Sequence, residues 1–290
     1  MINSRNSAGL MALVIYDMVI PVKYVESIMI LPRAGGDWDT SVLEYFRVEF
    51  VDVDSFEDFF GIPPPILEEP VLTFCNMQIN PMDIDASVAL TTDMQLKRTL
   101  RSLHRAVRDE THPESAVDDF GADVLKLCMY DEVKSIGTNP LLKLKMCGEF
   151  VFAKPDVYVY TSSGDIIFLI QEDKRYMTSG DYDLENTEAQ MVAEAIAAFQ
   201  QNNRKRALTR DVRDSQLLPC ITMLGSYPIF YLFEVTTTLA NHVRDGTTAN
   251  DVTSIRRYRV PPLLHVGDTM YNNIKRREIM EAYMAFKRFV

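Results

Sequence analysis

Cysteine, histidine and tryptophan are scarce in this chain, and each scarcity removes a class of chemistry. The four cysteines, at 75, 128, 147 and 220 of 290 residues, form no CxxC pair and share no metal-ligand spacing with the four histidines. That leaves no zinc knuckle and no thiol redox motif. Cys128 and Cys220 sit inside apolar runs, where a thiol serves as a small hydrophobe, and the pattern fits a reducing compartment. His104 and His112 flank a helix end, and His242 and His265 fall in loops; all four read as caps or surface residues. The single Trp38, between Asp37 and Asp39, reads as a buried anchor for the N-terminal segment.

Other devices are missing too. There is no GxxxxGK[ST] or GxGxxG loop to cradle phosphates and no GxSxG nucleophile turn. The apolar stretch 10–22 is broken by Asp17 and too short to span a bilayer, and no small-residue cleavage site follows it. The expectation is an intracellular protein, of cytoplasm or nucleus, with no membrane contact; secretion stays open. An overall basic surplus is also lacking, since the net charge is −11. Its distribution matters more. Residues 201–290 hold 14 Lys+Arg against 8 Asp+Glu, a balance of +6, which leaves −17 on residues 1–200. An acidic body with a basic final third can present a local field for phosphate, or its arginines can simply solvate helix faces.

What is present is an ordinary globular composition, 47% hydrophobic and 24% charged, on a chain long enough for a large core. Segment 43–53 reads as a helix end or strand, and Asp54 as the cap of a short helix SFEDFF. Five prolines between 62 and 81 mark a connector. We place a boundary near residue 90, giving a 1–90 N-terminal α/β extension and a 91–290 domain closed by a basic C-terminal helix. Helical spacing of Met94, Leu96, Leu100, Leu103 and Val107 predicts a helix over 91–110, and Val117, Phe120, Val124, Leu127 and Cys128 a second over 114–130. Strands are predicted at 142–152, 156–160 and 166–171, with a turn at Ser163-Gly164-Asp165. An alanine-rich helix follows at 188–202. Strands at 219–225 and 229–235 are joined by a Ser-Tyr-Pro turn, and a terminal helix spans 273–290. Helix, three strands, helix, two strands imply an α/β layered fold with a mixed central sheet flanked by helices.

The stretch that concentrates chemistry is Lys154-Pro155-Asp156, followed by Glu172-Asp173-Lys174. A hairpin turning near Ser163-Gly164 sets Asp156, at the start of one strand, beside the end of the next. Strand alternation puts Glu172 and Lys174 on one face and Asp173 on the other, so Asp173 is expected to be dispensable. Two carboxylates so placed suit Mg²⁺, or Mn²⁺, with Lys174 as a point cation beside the bound water. A surface ion pair between Glu172 and Lys174 is the plainer reading.

Pro155-Asp156 with Glu172-x-Lys174 resembles the signature of the PD-(D/E)xK phosphodiesterase superfamily, the restriction-endonuclease-like proteins, whose core runs helix, three strands, helix, strand. The resemblance covers about 114–235. It implies Asp156 and Glu172 as metal ligands and Lys174 as the catalytic lysine. It also implies an acid on the first core helix, Glu114 with Asp118 as the alternative, and a glutamine on the helix after the lysine strand, Gln190 with Glu194 one turn on. ITMLGSYPIFYLFEVTTTL is similar to uncharacterised fungal proteins carrying the same core. The function so implied is a Mg²⁺-dependent nuclease acting on DNA or RNA, with a homodimer as one assembly the family uses. A scaffold of the same fold without catalysis, binding nucleic acid or protein, is the rival. In this fold Arg204, Lys205 and Arg206 would lie at the mouth of the cleft and grip phosphates; Arg256-Arg257-Tyr258-Arg259 is a second such cluster, and Lys275-Arg276-Arg277 reads as solvating.

Overall fold

The longest strands come from the two most apolar stretches. A computed structural model describes residues 30–108, 113–132, 134–172, 184–261 and 266–290. Elements are α1 (Thr40–Phe46), β1 (Val48–Asp52), α2 (Phe56–Phe60), α3 (Val71–Asn76), α4 (Ile84–Ala89), α5 (Met94–Arg108), α6 (Pro113–Leu127), β2 (Ser135–Thr138), β3 (Leu142–Met146), β4 (Glu149–Ala153), β5 (Val157–Tyr160) and β6 (Ile166–Glu172). After them come α7 (Leu184–Arg206), β7 (Ser215–Leu224), β8 (Tyr227–Thr236), α8 (Thr237–Asp245), β9 (Thr253–Arg259) and α9 (Asn273–Phe286). SQLLPCITML and YPIFYLFEVT form β7 and β8, an antiparallel pair at the centre of a seven-stranded mixed sheet ordered β1-β9-β8-β7-β6-β5-β2.

The turn between them differs from the expected Ser-Tyr-Pro. Gly225 and Ser226 alone make the loop, and Gly225 sits at φ 60°, which a two-residue hairpin requires and glycine adopts without a Cβ clash. Tyr227 and Pro228 are thereby drawn into β8. Two prolines in central strands are tolerated because each lies where a ladder ends: pairing with β9 begins at Ile229, one residue after Pro228, and pairing with β6 begins at Cys220, one residue after Pro219. Neither missing N–H leaves a rung open.

β1 pairs in parallel with β9, and β6 in parallel with β7; β5 and β2 extend the sheet by antiparallel pairing. Strands β1, β9, β7, β6 and β2 therefore run one way, and β8 and β5 the other. The residues before 91, set apart on sequence, supply an edge strand to the same sheet. Phe59 of α2 stacks on Tyr258, and Phe60 meets Phe230 and Phe286 edge-on. Trp38 is the anchor expected of it, fully buried against Phe46 at 5.9 Å between centroids.

The strand expected at 142–152 is instead a separate ribbon, with β3 and β4 pairing, among the described residues, only with each other. The sheet's outer strand is β2, whose sequence SIGT is too short and polar to announce itself. The cap of α2 is Ser55, whose hydroxyl accepts from Asp58 N at 3.3 Å, and not Asp54. Helix α7 is buried on nearly every side, as a helix between two layers must be. The sheet lies on one side and the β3–β4 ribbon on the other, with Gln200 bonding both the N–H and the carbonyl of Lys145 at 2.8 and 3.1 Å. Helices α6 and α9 cover the opposite face of the sheet: Tyr130, after α6, donates to Tyr283 O at 2.7 Å, and Phe286 packs on Phe168 and Phe230.

Arg276 departs furthest from its expected role. It is wholly buried, and its guanidinium donates to the carbonyls of Phe74, Cys75, Met77, Met270 and Tyr271, the last two at 2.8 and 3.2 Å. Three of these acceptors belong to the C-terminal turn of α3, which has no following N–H groups to satisfy them. Burial pushes the pKa of Arg276 down to about 10. Among the described residues no helix is long and apolar enough to cross a membrane.

Candidate functional site

Asp156 stands at the first rung of β5. Its N–H donates to Ile170 O at 3.2 Å, and Val157 pairs with Ile170, so the Asp156 backbone lies beside the last residues of β6. The hairpin that brings them together turns at Thr161–Asp165, closed by Thr161 N to Asp165 O at 2.9 Å, with Gly164 at φ 78°. Asp156 is 6% exposed. Its carbonyl accepts from Asn139 N at 2.8 Å, and the Asn139 side-chain amide reaches Asp118 Oδ2 at 3.5 Å. Asn139, just past β2 and in the left-handed region at φ 52°, thus bridges α6 to the Asp156 turn.

Helix α6 packs on the hairpin at Gly121, where a Cβ would stand in ordinary contact, 3.5 Å from Ile170 Cδ1 and 3.8 Å from Val157 Cγ2. Asp118, three residues earlier, falls one turn toward the helix N-terminus, the end nearest the carboxyl terminus of β6. Of the residues singled out on sequence, Asp156 and Asp118 are brought to one place. Glu172 ends β6 and Glu114 lies in the first turn of α6, but their side chains, and Asp173 and Lys174 entirely, lie outside the described residues. Among the described residues no group of three His, Cys, Asp or Glu is clustered to hold a metal.

A second polar cluster sits at the same end of the sheet on the α7 face. Tyr231 Oη lies 3.0 Å from Thr222 Oγ1 and donates to Glu188 Oε1 at 2.7 Å. Arg257 Nη1 meets the same Glu188 oxygen at 2.7 Å, and its Nε and Nη2 take both oxygens of Asp52 at 2.7 and 2.8 Å. Burial raises the pKa of Glu188, opposed by its bonds to Arg257 and Tyr231. Burial alone would lower Arg257, but the Asp52 and Glu188 carboxylates outweigh it and hold it above the ordinary range. The Arg257 hydrogen bond holds Asp52 below the ordinary range. A cavity of about 220 Å³, lined by Asp52, Val53, Asp54, Arg257 and Arg259, opens beside this cluster. Arg257 is engaged on three nitrogens and is a strut between β1, β9 and α7, which commits three of its five N–H groups. The cluster left no trace in local sequence, because Glu188 lies 43 residues from Tyr231 and 69 from Arg257.

Three placements differ from expectation. Gln190 does not face the sheet: its side-chain amide donates to Gly36 O at 3.2 Å, while Glu188, two residues before it, turns inward. Arg204, Lys205 and Arg206 are not at the Asp156 end. They close α7, 23 residues long and so about 34 Å from end to end, at the opposite edge of the sheet. There Arg206 pairs with Asp165 at 2.9 Å and bonds Gln216 at 3.1 Å, Lys205 bonds Gly164 O, and Arg204 bonds Lys143 O at 3.0 Å. Lys205 and Arg206 fasten the β5–β6 turn from behind, and Arg204 ties α7 to β3. In the second cluster Arg256 bonds Asp58 O and lies over Phe59 at 5.5 Å. Searches against protein-family models and curated proteins returned no match to this chain.

Proposed function

We propose that the chain is a Mg²⁺- or Mn²⁺-dependent nuclease on a restriction-endonuclease-like core. The observation that carries the reading is the order α6, β2, β5, β6, α7, β7, interrupted after β2 by the inserted β3–β4 ribbon, with β2, β5, β6 and β7 adjacent in one sheet and Asp156 set at the β5–β6 end. That order is the helix, three strands, helix, strand of the resemblance, with β2 replacing the strand expected at 142–152. Five of the sheet's strands, β1, β9, β7, β6 and β2, end on this side, where ligands of open α/β sheets bind.

The donor set suits a hard cation, which takes carboxylate oxygens and keeps waters. Asp156 and Glu172 would hold it, with Glu114 or Asp118 in support. A bound divalent ion supplies an acidified water and neutralises charge on a phosphate oxygen. Lys174 would orient a water beside the phosphate and offer it a positive charge. Gln190, bonded to Gly36, has no part in the proposal.

The test is cleavage of labelled single- and double-stranded DNA and RNA with Mg²⁺ or Mn²⁺. Lys174→Ala is expected to lower the rate at least about a hundredfold with the far-UV circular dichroism unchanged. Undiminished cleavage by folded Lys174→Ala protein sinks the reading.

A further inference from the structure

The β3–β4 ribbon has a covered face and a bare one. Leu142, Leu144, Met146 and Ala153 are buried on the covered face. On the other, the register sets Lys143 opposite Phe152 and Lys145 opposite Phe150, and directly opposed residues share a face. Both rings are open to solvent, Phe150 by 58% and Phe152 by 44%. The Lys145 ammonium lies 5.7 Å from the Phe150 ring centre and the Arg204 guanidinium 6.0 Å from it. Beside Phe150 opens a cavity of about 450 Å³, edged by Lys145, Arg204 and Arg244; among the described residues no acid lines it. Glu149, next to Phe150, falls on the other strand face, opposite Met146, and Asp245 is paired with Arg244 at 2.6 Å.

Two exposed aromatics interleaved with cations, on a chain of net charge −11, form a local positive surface with π faces. Such a surface has little reason to stay bare. Residues two apart on a strand stand roughly 7 Å apart, twice the ~3.4 Å base step of a duplex strand. The rings therefore match unstacked, stretched nucleotides and not stacked pairs. We propose that this face binds single-stranded nucleic acid, with bases on Phe150 and Phe152 and phosphates on Lys143, Lys145 and Arg204. Phe152 precedes Asp156 by four residues, a span of at most about 14 Å, or roughly two stretched nucleotides. As the substrate-holding surface of a cleavage site the ribbon rests on the proposed function; as a binding surface it does not.

The experiment is fluorescence anisotropy in EDTA, so that binding is read without cleavage. The probes are labelled oligo-dT and oligo-rU of about twelve nucleotides, chosen as a stacking-site length, and a duplex of the same length. Single strands are expected to bind at least about tenfold more tightly than duplex, and Phe150→Ala with Phe152→Ala to lose about tenfold or more. Lys145→Gln with Arg204→Gln should flatten the salt dependence by about one unit of slope. The dT and rU arms decide between DNA and RNA. Equal affinity in the double alanine variant, a duplex preference, or full recovery with leucine at both positions overturns the proposal. So does an oligonucleotide-blind protein whose self-association is lost in the alanine variant, which would give the face to a second copy. Ring-dependent binding by a protein that cleaves nothing would keep this proposal and remove the nuclease reading; cleavage without ring-dependent binding would do the reverse.

Discussion

Arg276 shows how far a residue's role can lie from its neighbours' in sequence. Lys275 and Arg277 bond side chains, Glu278 at 2.8 Å and Asn76 at 2.8 Å, while Arg276 between them enters the core and closes α3. The lysine-arginine-arginine run reads as one solvated patch because charge runs usually are. Only the helical rotation of α9, set by Ile279, Met280 and Tyr283 packing inward, decides which of the three turns in. Replacing Arg276 by methionine removes the fork and leaves five carbonyls without it. We expect about 3 kcal/mol or more of lost stability, read as a lower urea midpoint; Arg276→Lys should recover little, since an ammonium cannot span the acceptors. An unchanged midpoint in the methionine variant would show that the carbonyls find other donors.

At the scale of elements, β1 is held to the sheet by its ladder and by Asp52. With its pKa held down, Asp52 binds a proton less readily folded than unfolded. Its contribution to stability is therefore present above the ordinary value of 3.8 and is lost as pH falls through the lowered one. Asp52→Asn should lower the denaturation midpoint at pH 7, and the gap from wild type should close as pH falls below the ordinary value of 3.8 and through the lowered one; a gap constant with pH contradicts the linkage. The β5–β6 hairpin, β7, β8 and α7 were legible in sequence because each carries a strong local signal: a Ser-Gly-Asp turn, long apolar runs, an alanine stripe. β2 was not, since SIGT has neither length nor alternation. Nor was the detachment of β3 and β4, which alternate as well as any sheet strand. What separates them is that the face Leu142, Leu144 and Met146 present is taken up by α7, a choice visible only once Gln200 is seen bonding the β3 main chain. Asp156 was readable as a carboxylate at a strand start, set by a hairpin beside the end of the next strand, whereas Glu188, Tyr231 and Arg257 were not readable as a set, because nothing local distinguishes a residue that will meet its partner across the sheet.

Across the whole molecule, the soft boundary near residue 90 divides what the sheet unites. A chain beginning at residue 91 would bare the β9 edge and strip Phe59 and Phe60 from Tyr258 and Phe230. We expect it to be aggregation-prone and to lack fixed near-UV circular dichroism; a sharp near-UV spectrum and a monodisperse elution peak from that fragment would show the first segment to be separable. The same pairing sets an order of events during synthesis. Glu49 and Ser254 are joined across 205 residues, so at about 5–20 residues per second a ribosome needs roughly 10–40 s after making β1 before its partner exists. For that interval Phe50 and Val51 have no ladder to join, and the protein's own sheet cannot yet cover that edge.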